Sequence, residues 1–429
     1  MLSRRFTTAY NLAQTVSRDA FRVTSVKSNS AVSTVQLVLP SGARYEERDE
    51  LGIGHFIRRA AELSNGQRTA FANARALGET GCSFLVTGTR EHIIYSIDSF
   101  QNQDSIKNAY ELLLAMTFQP LYNGWDLAAA LTPMQLDLAI LTHRKDIRVI
   151  ELLHQAAYKD TLGQSVYAPA ENFSKFGQQM ALDFIQRTFN NFNLVCVNTE
   201  RDLEEQLADM TSEFTDSGDK GTPPKKAVYR GGTLMNSVVG DHAYAAVAVE
   251  GASIGSKEAL PLGVLQKILY REPAMKYTSP GGRLPSAIAK AVNDNFMCGN
   301  LNFNYSDSGL FGFSVVANAE DAGVVLEAAA AEMKSLCSKG ASSEEVARAK
   351  ASLKMDTIIK QENARSFATM VTDHAENNLP APTLQGALEA IDKVTVEQVN
   401  ETAKSLLKRK PTLAAVGNTI TVPFVDDLF

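Results

Sequence analysis

The sequence predicts an α+β fold of two homologous domains, each a mostly antiparallel sheet with helices packed on one face, joined by a linker. Three observations carry that expectation. At 429 residues the chain is too long for one ordinary core. Near its midpoint, Asp216 to Lys226 (Asp-Ser-Gly-Asp-Lys-Gly-Thr-Pro-Pro-Lys-Lys) combines glycine, serine, tandem proline and mixed charge, as linkers do. The order of elements before that stretch also recurs after it, at an offset of roughly 220 residues. The expected division is a targeting segment (1–18), an N-terminal domain (19–215), a linker (216–226) and a C-terminal domain (227–429).

Residues 1–18 carry Arg4, Arg5 and Arg18, several hydroxyls and no acid before Asp19. Leu2, Phe6, Ala9, Ala13 and Val16 recur at helical spacing, the composition of a mitochondrial targeting segment. Ser33 to Leu39 reads as a strand that turns through Pro40-Ser41-Gly42 into a partner at Ala43 to Glu47. A helix follows within Leu51 to Leu63, then another over Ala70 to Leu77. Cys82 to Val86 and His92 to Asp98 form a strand pair, and Asp104 is placed to cap the next helix. A long helix is expected over Pro133 to Tyr158, then Ala170 to Thr188, before the strand Asn193 to Val197.

Past the linker, Tyr244 to Val249 is a strand and Lys257 to Leu269 an apolar helix matching the first one. Ser286 to Val292 is a helix; Asn302 to Tyr305 and Leu310 to Ala317 are a strand pair. Asp321 repeats the role of Asp104. Ser342-x-x-Glu345 and Thr395-x-x-Gln398 are capping-box patterns opening the last long helices. Leu413 to Val416 mirrors the strand that closes the first half.

Apolar content of 45% and charged content of 21% describe a folded globular chain. A net charge of −6 argues against nucleic acid as the main partner. No run of 18 apolar residues is present to span a bilayer. The four cysteines (Cys82, Cys196, Cys298, Cys337) form no C-x-x-C pair, which suits buried thiols in a reducing compartment. Gly231-Gly232, Gly78-x-x-Gly81 and Ser306-Asp307-Ser308 read as turn chemistry, and the sole tryptophan, Trp125, as a packing anchor.

On the helix at Leu51 to Leu63, His55, Arg58 and Arg59 stand at i, i+3 and i+4 and so share one face. This is the frame of His-x-x-Glu-His, where two histidines hold zinc and the glutamate activates water. Here the frame reads His55-Phe56-Ile57-Arg58-Arg59. Arginine has no lone pair for a metal and stays protonated, so this face repels a dication. Taken alone, the same residues also fit a solvated helix face.

With its two matching halves, the chain resembles the pitrilysin-type zinc peptidase family, which carries its metal motif on the first helix of the N-terminal domain. The resemblance covers nearly everything after residue 30. Its most specific stretches are Val247 to Leu269, Phe303 to Phe313, and the tail Gly417-Asn418 with Pro423 to Leu428. Carried over by position, His55 matches the first zinc ligand, Arg58 replaces the catalytic glutamate and Arg59 the second ligand. Where the family has a glutamate as third ligand, this chain reads Met134 to Ile140, with Asp137 nearest. The resemblance thus implies no catalytic residue, no metal and no cofactor.

It further implies a non-catalytic structural role in ubiquinol–cytochrome c reductase, respiratory complex III. The implied partners are a core protein 1-like subunit, cytochrome b, cytochrome c1 and the Rieske protein. The implied place is the matrix side of the mitochondrial inner membrane, held there by other subunits. Nothing offers a haem or cluster motif. The alternative is a non-catalytic α-type subunit of the mitochondrial processing peptidase, which binds presequences through a glycine-rich loop. The corresponding loop here, Tyr277 to Pro285, departs from it: its two glycines and two prolines make a stiffer, shorter turn, in which Gly281-Gly282 reads as a turn pair between helices.

Overall fold

The computed structural model describes residues 14–17, 21–27, 31–100, 102–214, 223–273, 278, 281–377, 379 and 383–429. Most of the expected targeting segment, residues 216–222 of the expected linker, and Tyr277, Ser279 and Pro280 of the glycine-containing loop lie outside the described residues.

The first half runs β1 (Gln14–Ser17), β2 (Phe21–Val26), β3 (Val32–Leu39), α1 (Ile53–Arg59), α2 (Ala70–Thr80), β4 (Ser83–Gly88), β5 (Ile93–Phe100), α3 (Gln103–Phe118), α4 (Gly124–His143), α5 (Lys145–Tyr158), α6 (Gln178–Thr188), β6 (Phe192–Val197) and α7 (Arg201–Phe214). The second runs β7 (Gly232–Ser237), β8 (His242–Glu250), α8 (Ala259–Leu269), α9 (Arg283–Ala291), β9 (Met297–Asn304), β10 (Gly309–Asn318), α10 (Ala322–Lys339), α11 (Ser343–Glu362), α12 (Ala364–Glu376), α13 (Leu384–Lys393), α14 (Val396–Leu406), β11 (Pro411–Gly417) and α15 (Val425–Leu428).

The strand orders are β1-β2-β6-β3-β5-β4 and β7-β11-β8-β10-β9. Apart from β1, the second order repeats the first. Among the described residues, only β2–β6 and β7–β11 pair parallel; the other strand pairings are antiparallel. The two-domain α+β expectation is borne out.

Each sheet faces its own half's helices on one side. Leu194 and Cys196 of β6 enter one core, and Leu413 and Ala415 of β11 the other, as a period of two requires. The other faces are also covered, by exchange. Helix α5 lays Val149, Leu153 and Ala157 on Ala246, Ala248, Ala414 and Val416 of the second sheet. Helix α12 lays Phe367, Ala368 and Val371 on Val26, Val38, Val195 and Val197 of the first. Burial on both faces explains why these strands read as apolar runs rather than alternations.

A buried polar seam joins the halves. The Arg44 guanidinium meets Glu91 and Asp307, each at 2.6 Å, and donates to the Lys225 carbonyl at 2.7 Å. The turn Tyr305–Ser308 between β9 and β10 supplies the second-half side. Ser306 Oγ donates to Glu91 at 2.6 Å, and the Tyr158 hydroxyl donates to the Gly309 carbonyl at 2.8 Å. His154 Nδ1 donates to the Ile150 carbonyl, so its Nε2 accepts from the Tyr305 hydroxyl at 2.8 Å. Burial, then Arg90, holds this imidazole far below its usual pKa.

Several local expectations are corrected. Ala43–Tyr45 is a short 3-10 turn, and β3 pairs instead with β5 and β6. The long helix is two helices broken at Arg144, with Pro133 inside the first rather than opening it. Ala170–Asn172 is a 3-10 turn, and α6 starts at Gln178. Asp104 lies in the first turn of α3 behind Asn102, and Asp321 holds the N-cap place of α10 without a side-chain bond. Gln14–Ser17, within the expected targeting segment, pairs as a strand with β2. Both capping boxes are present. Trp125 is 76% exposed, and Tyr122 does the packing there instead.

Candidate functional site: a closed metal-motif helix

Helix α1 starts where the chain must turn sharply. Gly52 has φ 90°, and a Cβ there would meet Ala168 Cα at 2.3 Å, so only glycine fits. Glu46 caps the helix from outside. Its carboxyl accepts the Gly52 N–H at 2.7 Å and the Gly54 N–H at 3.0 Å, at the positive end of the helix. Burial nevertheless pushes its pKa up to about 7, against those bonds and nearby Arg58. Ile53, Phe56 and Ile57 face the core, with Phe56 stacked on Phe176 at 5.6 Å between centroids.

Of the three motif residues, two converge on one carboxylate and the third turns away. His55 is 2% exposed. Its Nδ1 accepts the Ala168 N–H at 3.2 Å, which leaves the proton on Nε2 to donate to Asp137 Oδ2 at 2.9 Å. Burial and then Arg58 lower its pKa to about 4, although Asp137 opposes them. The contact between His55 and Asp137 is therefore a hydrogen bond from a neutral imidazole at neutral pH, not an ion pair.

Arg59 grips the same carboxylate with a two-pronged fork, Nε to Oδ2 at 2.6 Å and Nη2 to Oδ1 at 2.5 Å. Burial works against the charge on Asp137, yet the bonds from Arg59 and His55 hold its pKa below the usual carboxylate range. Arg58 turns inward instead. Its Nε donates to the Gly54 carbonyl at 3.2 Å and its Nη2 to the Val166 carbonyl at 2.6 Å, and its stem lies across Gly88.

The residues present do not fit a zinc ion. A catalytic zinc needs three protein ligands and an open place for water. Here His55 and Asp137 are the only ligand types that converge, and among the described residues no three His, Cys, Asp or Glu side chains do so. The lone pair of His55 is taken by a backbone N–H, and two guanidiniums flank the place. The space left beside His55 and Arg58 is about 10 Å³, room for about one water.

The sequence placed His55, Arg58 and Arg59 on one face, but it left Asp137 only as the nearest acid. The structure brings Asp137 to both His55 and Arg59. The Arg44–Glu91–Asp307 seam carried no local signal, because its partners are remote in sequence, and Glu46, six and eight residues from the N–H groups it accepts, matches no helix-capping spacing.

Residues 22–170 match the family model described as Insulinase (Peptidase family M16), and residues 175–353 the model described as Peptidase M16 inactive domain. Cytochrome b-c1 complex subunit 2, mitochondrial, of Mus musculus is 30% identical over 95% of this chain and 89% of its own length. The chain belongs to peptidase family M16. The resemblance to the pitrilysin-type peptidases is thereby borne out. The Homo sapiens cytochrome b-c1 complex subunit 2, mitochondrial, is likewise 30% identical over 95% of this chain and 89% of its own. A probable mitochondrial-processing peptidase subunit alpha-1 of Arabidopsis thaliana is 22% identical over 96% and 82%. The M16 inactive-domain match begins at residue 175, before α6, and so crosses from one sheet to the other. Among the described residues, no helix is long and apolar enough to cross a membrane.

Proposed function

We propose that this chain is a non-catalytic core subunit of ubiquinol–cytochrome c reductase, sited on the matrix side of the mitochondrial inner membrane. Its contribution to electron transfer from ubiquinol to cytochrome c is assembly and stability. The single observation behind the non-catalytic reading is the Arg59 fork closed on Asp137, with His55 committed to the same carboxylate. A guanidinium in place of the base, and another in place of a ligand, leave neither bound-water activation nor a Lewis acid. His55, Arg58 and Arg59 are then structural, and the chain holds no metal or cofactor of its own. The identity to the cytochrome b-c1 subunits, higher than that to the processing peptidase relative, supports the choice of complex. The partners are a core protein 1-like subunit, cytochrome b, cytochrome c1 and the Rieske subunit, through which the chain stays at the membrane.

Mild-detergent native electrophoresis of mitochondrial membranes, with mass spectrometry of the band holding this chain, tests the reading. Co-migration with cytochrome b, cytochrome c1 and a core protein 1-like chain is expected. A small soluble heterodimer with a partner carrying an intact His-x-x-Glu-His would instead make the chain an α-type processing-peptidase subunit.

A further inference from the structure

The second half carries a cleft of its own, separate from the α1 site. It opens between the C-terminal end of α8, the first turns of α9 and α11, and α10, with a volume of about 570 Å³, a size suited to a small ligand. Five cations line it (Lys267, Arg271, Arg283, Lys290 and Arg348) against two acids, Glu332 and Glu345. Two of the cations are already committed. Lys267 pairs with Asp356, and the Arg283 fork holds Glu345 at 2.7 and 2.8 Å. Arg271, Lys290 and Arg348 have no ion pair or side-chain hydrogen bond among the described residues.

Three unpaired cations from separate elements around the cleft repel one another and focus a positive field into it. The arginine forks offer paired donors at the spacing of phosphate oxygens. Helix α9 adds to this. Its N-cap is Gly282, which supplies no side chain to the first N–H groups, so the positive end of a nine-residue helix stays open at the cleft. Gly282 has φ 116°, and a Cβ there would meet the Leu269 carbonyl oxygen at 2.4 Å, so the backbone is held bare at that point.

We propose that this cleft binds a phosphate-bearing ligand, either a soluble phosphorylated small molecule or the headgroup of an anionic lipid. The site stands independently of the subunit reading, which neither needs nor forbids it. Glu345 is its internal competitor, since it occupies the Arg283 fork, which would otherwise face the ligand beside those of Arg271 and Arg348.

The test uses the full chain with two probes: pyrophosphate, followed by calorimetry, and phosphatidylcholine vesicles with or without phosphatidylglycerol, followed by sedimentation. The triple variant R271Q/K290Q/R348Q should weaken binding of the active probe by about tenfold or more. Glu345→Gln should tighten it, because glutamine keeps the capping box with Ser342 while releasing Arg283. Response to pyrophosphate alone assigns a soluble ligand; response only to phosphatidylglycerol vesicles assigns a headgroup. Binding that survives the triple variant unchanged, or wild-type chain that binds neither probe, overturns the proposal.

Discussion

The motif helix α1 and its second-half counterpart α8 each send one cation to one aspartate on the same neighbouring helix of their half. Arg59 meets Asp137 on α4, and Lys267 meets Asp356 on α11. Asp137 and Asp356 occupy the same position counted from the starts of α4 and α11. The second half carries no metal motif, yet it makes the same helix-to-helix tie. The Arg59–Asp137 contact is therefore a helix-to-helix tie that both halves of this chain make. What differs is the surroundings. Around α1 the motif residues are each held: Arg58 by two carbonyls, His55 by Ala168 and Asp137, and the helix start by Glu46. At the end of α8 three cations are left facing a cleft. Clustered charge alone does not separate a closed site from an open one; the partners on the adjoining helix and loop do.

The largest expected effect comes from reversing one charge in the closed site. Arg58→Glu would aim a carboxylate at the Gly54 and Val166 carbonyls, beside buried Glu46. A cost of about 3–5 kcal/mol is expected, as for a buried charge stripped of its partner. Lys267→Glu, beside the half-open Asp356, should cost about 1 kcal/mol. Urea midpoints at unchanged m would measure both, and equal costs would erase the contrast between the two helices.

Next is pH. The folded-state pKa of His55 lies at about 4, below its ordinary 6.5, so the unfolded chain binds the proton more readily between those values. The stability from keeping it neutral is fully present above 6.5 and lost as pH falls towards 4, a span of about 3 kcal/mol. Glu46 works in the opposite sense, its raised pKa favouring the folded state below about 7. The difference between wild type and His55→Gln should therefore grow as pH rises from 4 to 6.5, and α8, which has no histidine, contributes nothing to it. A difference flat across that range would show that His55 is not held neutral by burial.

Smaller again is the loss of the shared tie. Asp137→Ala strands both His55 and Arg59 and should cost about 2 kcal/mol. Asp356→Ala strands only Lys267, and Asp356 is itself 38% exposed, so about 1 kcal/mol is expected. If the two costs were equal, the hydrogen bond from His55 would add nothing to the first-half pair.

What could be read without the fold was local or periodic. The repeat of elements, the capping boxes at Ser342 and Thr395, and the shared face of His55, Arg58 and Arg59 all follow from short-range spacing, because a helix places i, i+3 and i+4 together whatever surrounds it. The failures were places where local preference lost to tertiary contact. Ala43–Tyr45 has the composition of a returning strand, but β3 already has β5 and β6 on its two edges, so no edge is left for it. Trp125 looks like a core residue by type, yet the first turn of α4 points it outward while Tyr122 fills the core.

The sequence by itself determined that Arg58 and Arg59 cannot ligate a metal, since a guanidinium has no lone pair to give in any fold. Only the tertiary structure decided the partners. Asp137 is 82 residues from His55, Asp307 lies 263 residues from Arg44, and α5 and α12 trade sheets across the chain. No spacing rule reaches over such distances. Those partners are selected when two sheets, each needing its outer face covered, close on one another and bury the charges between them.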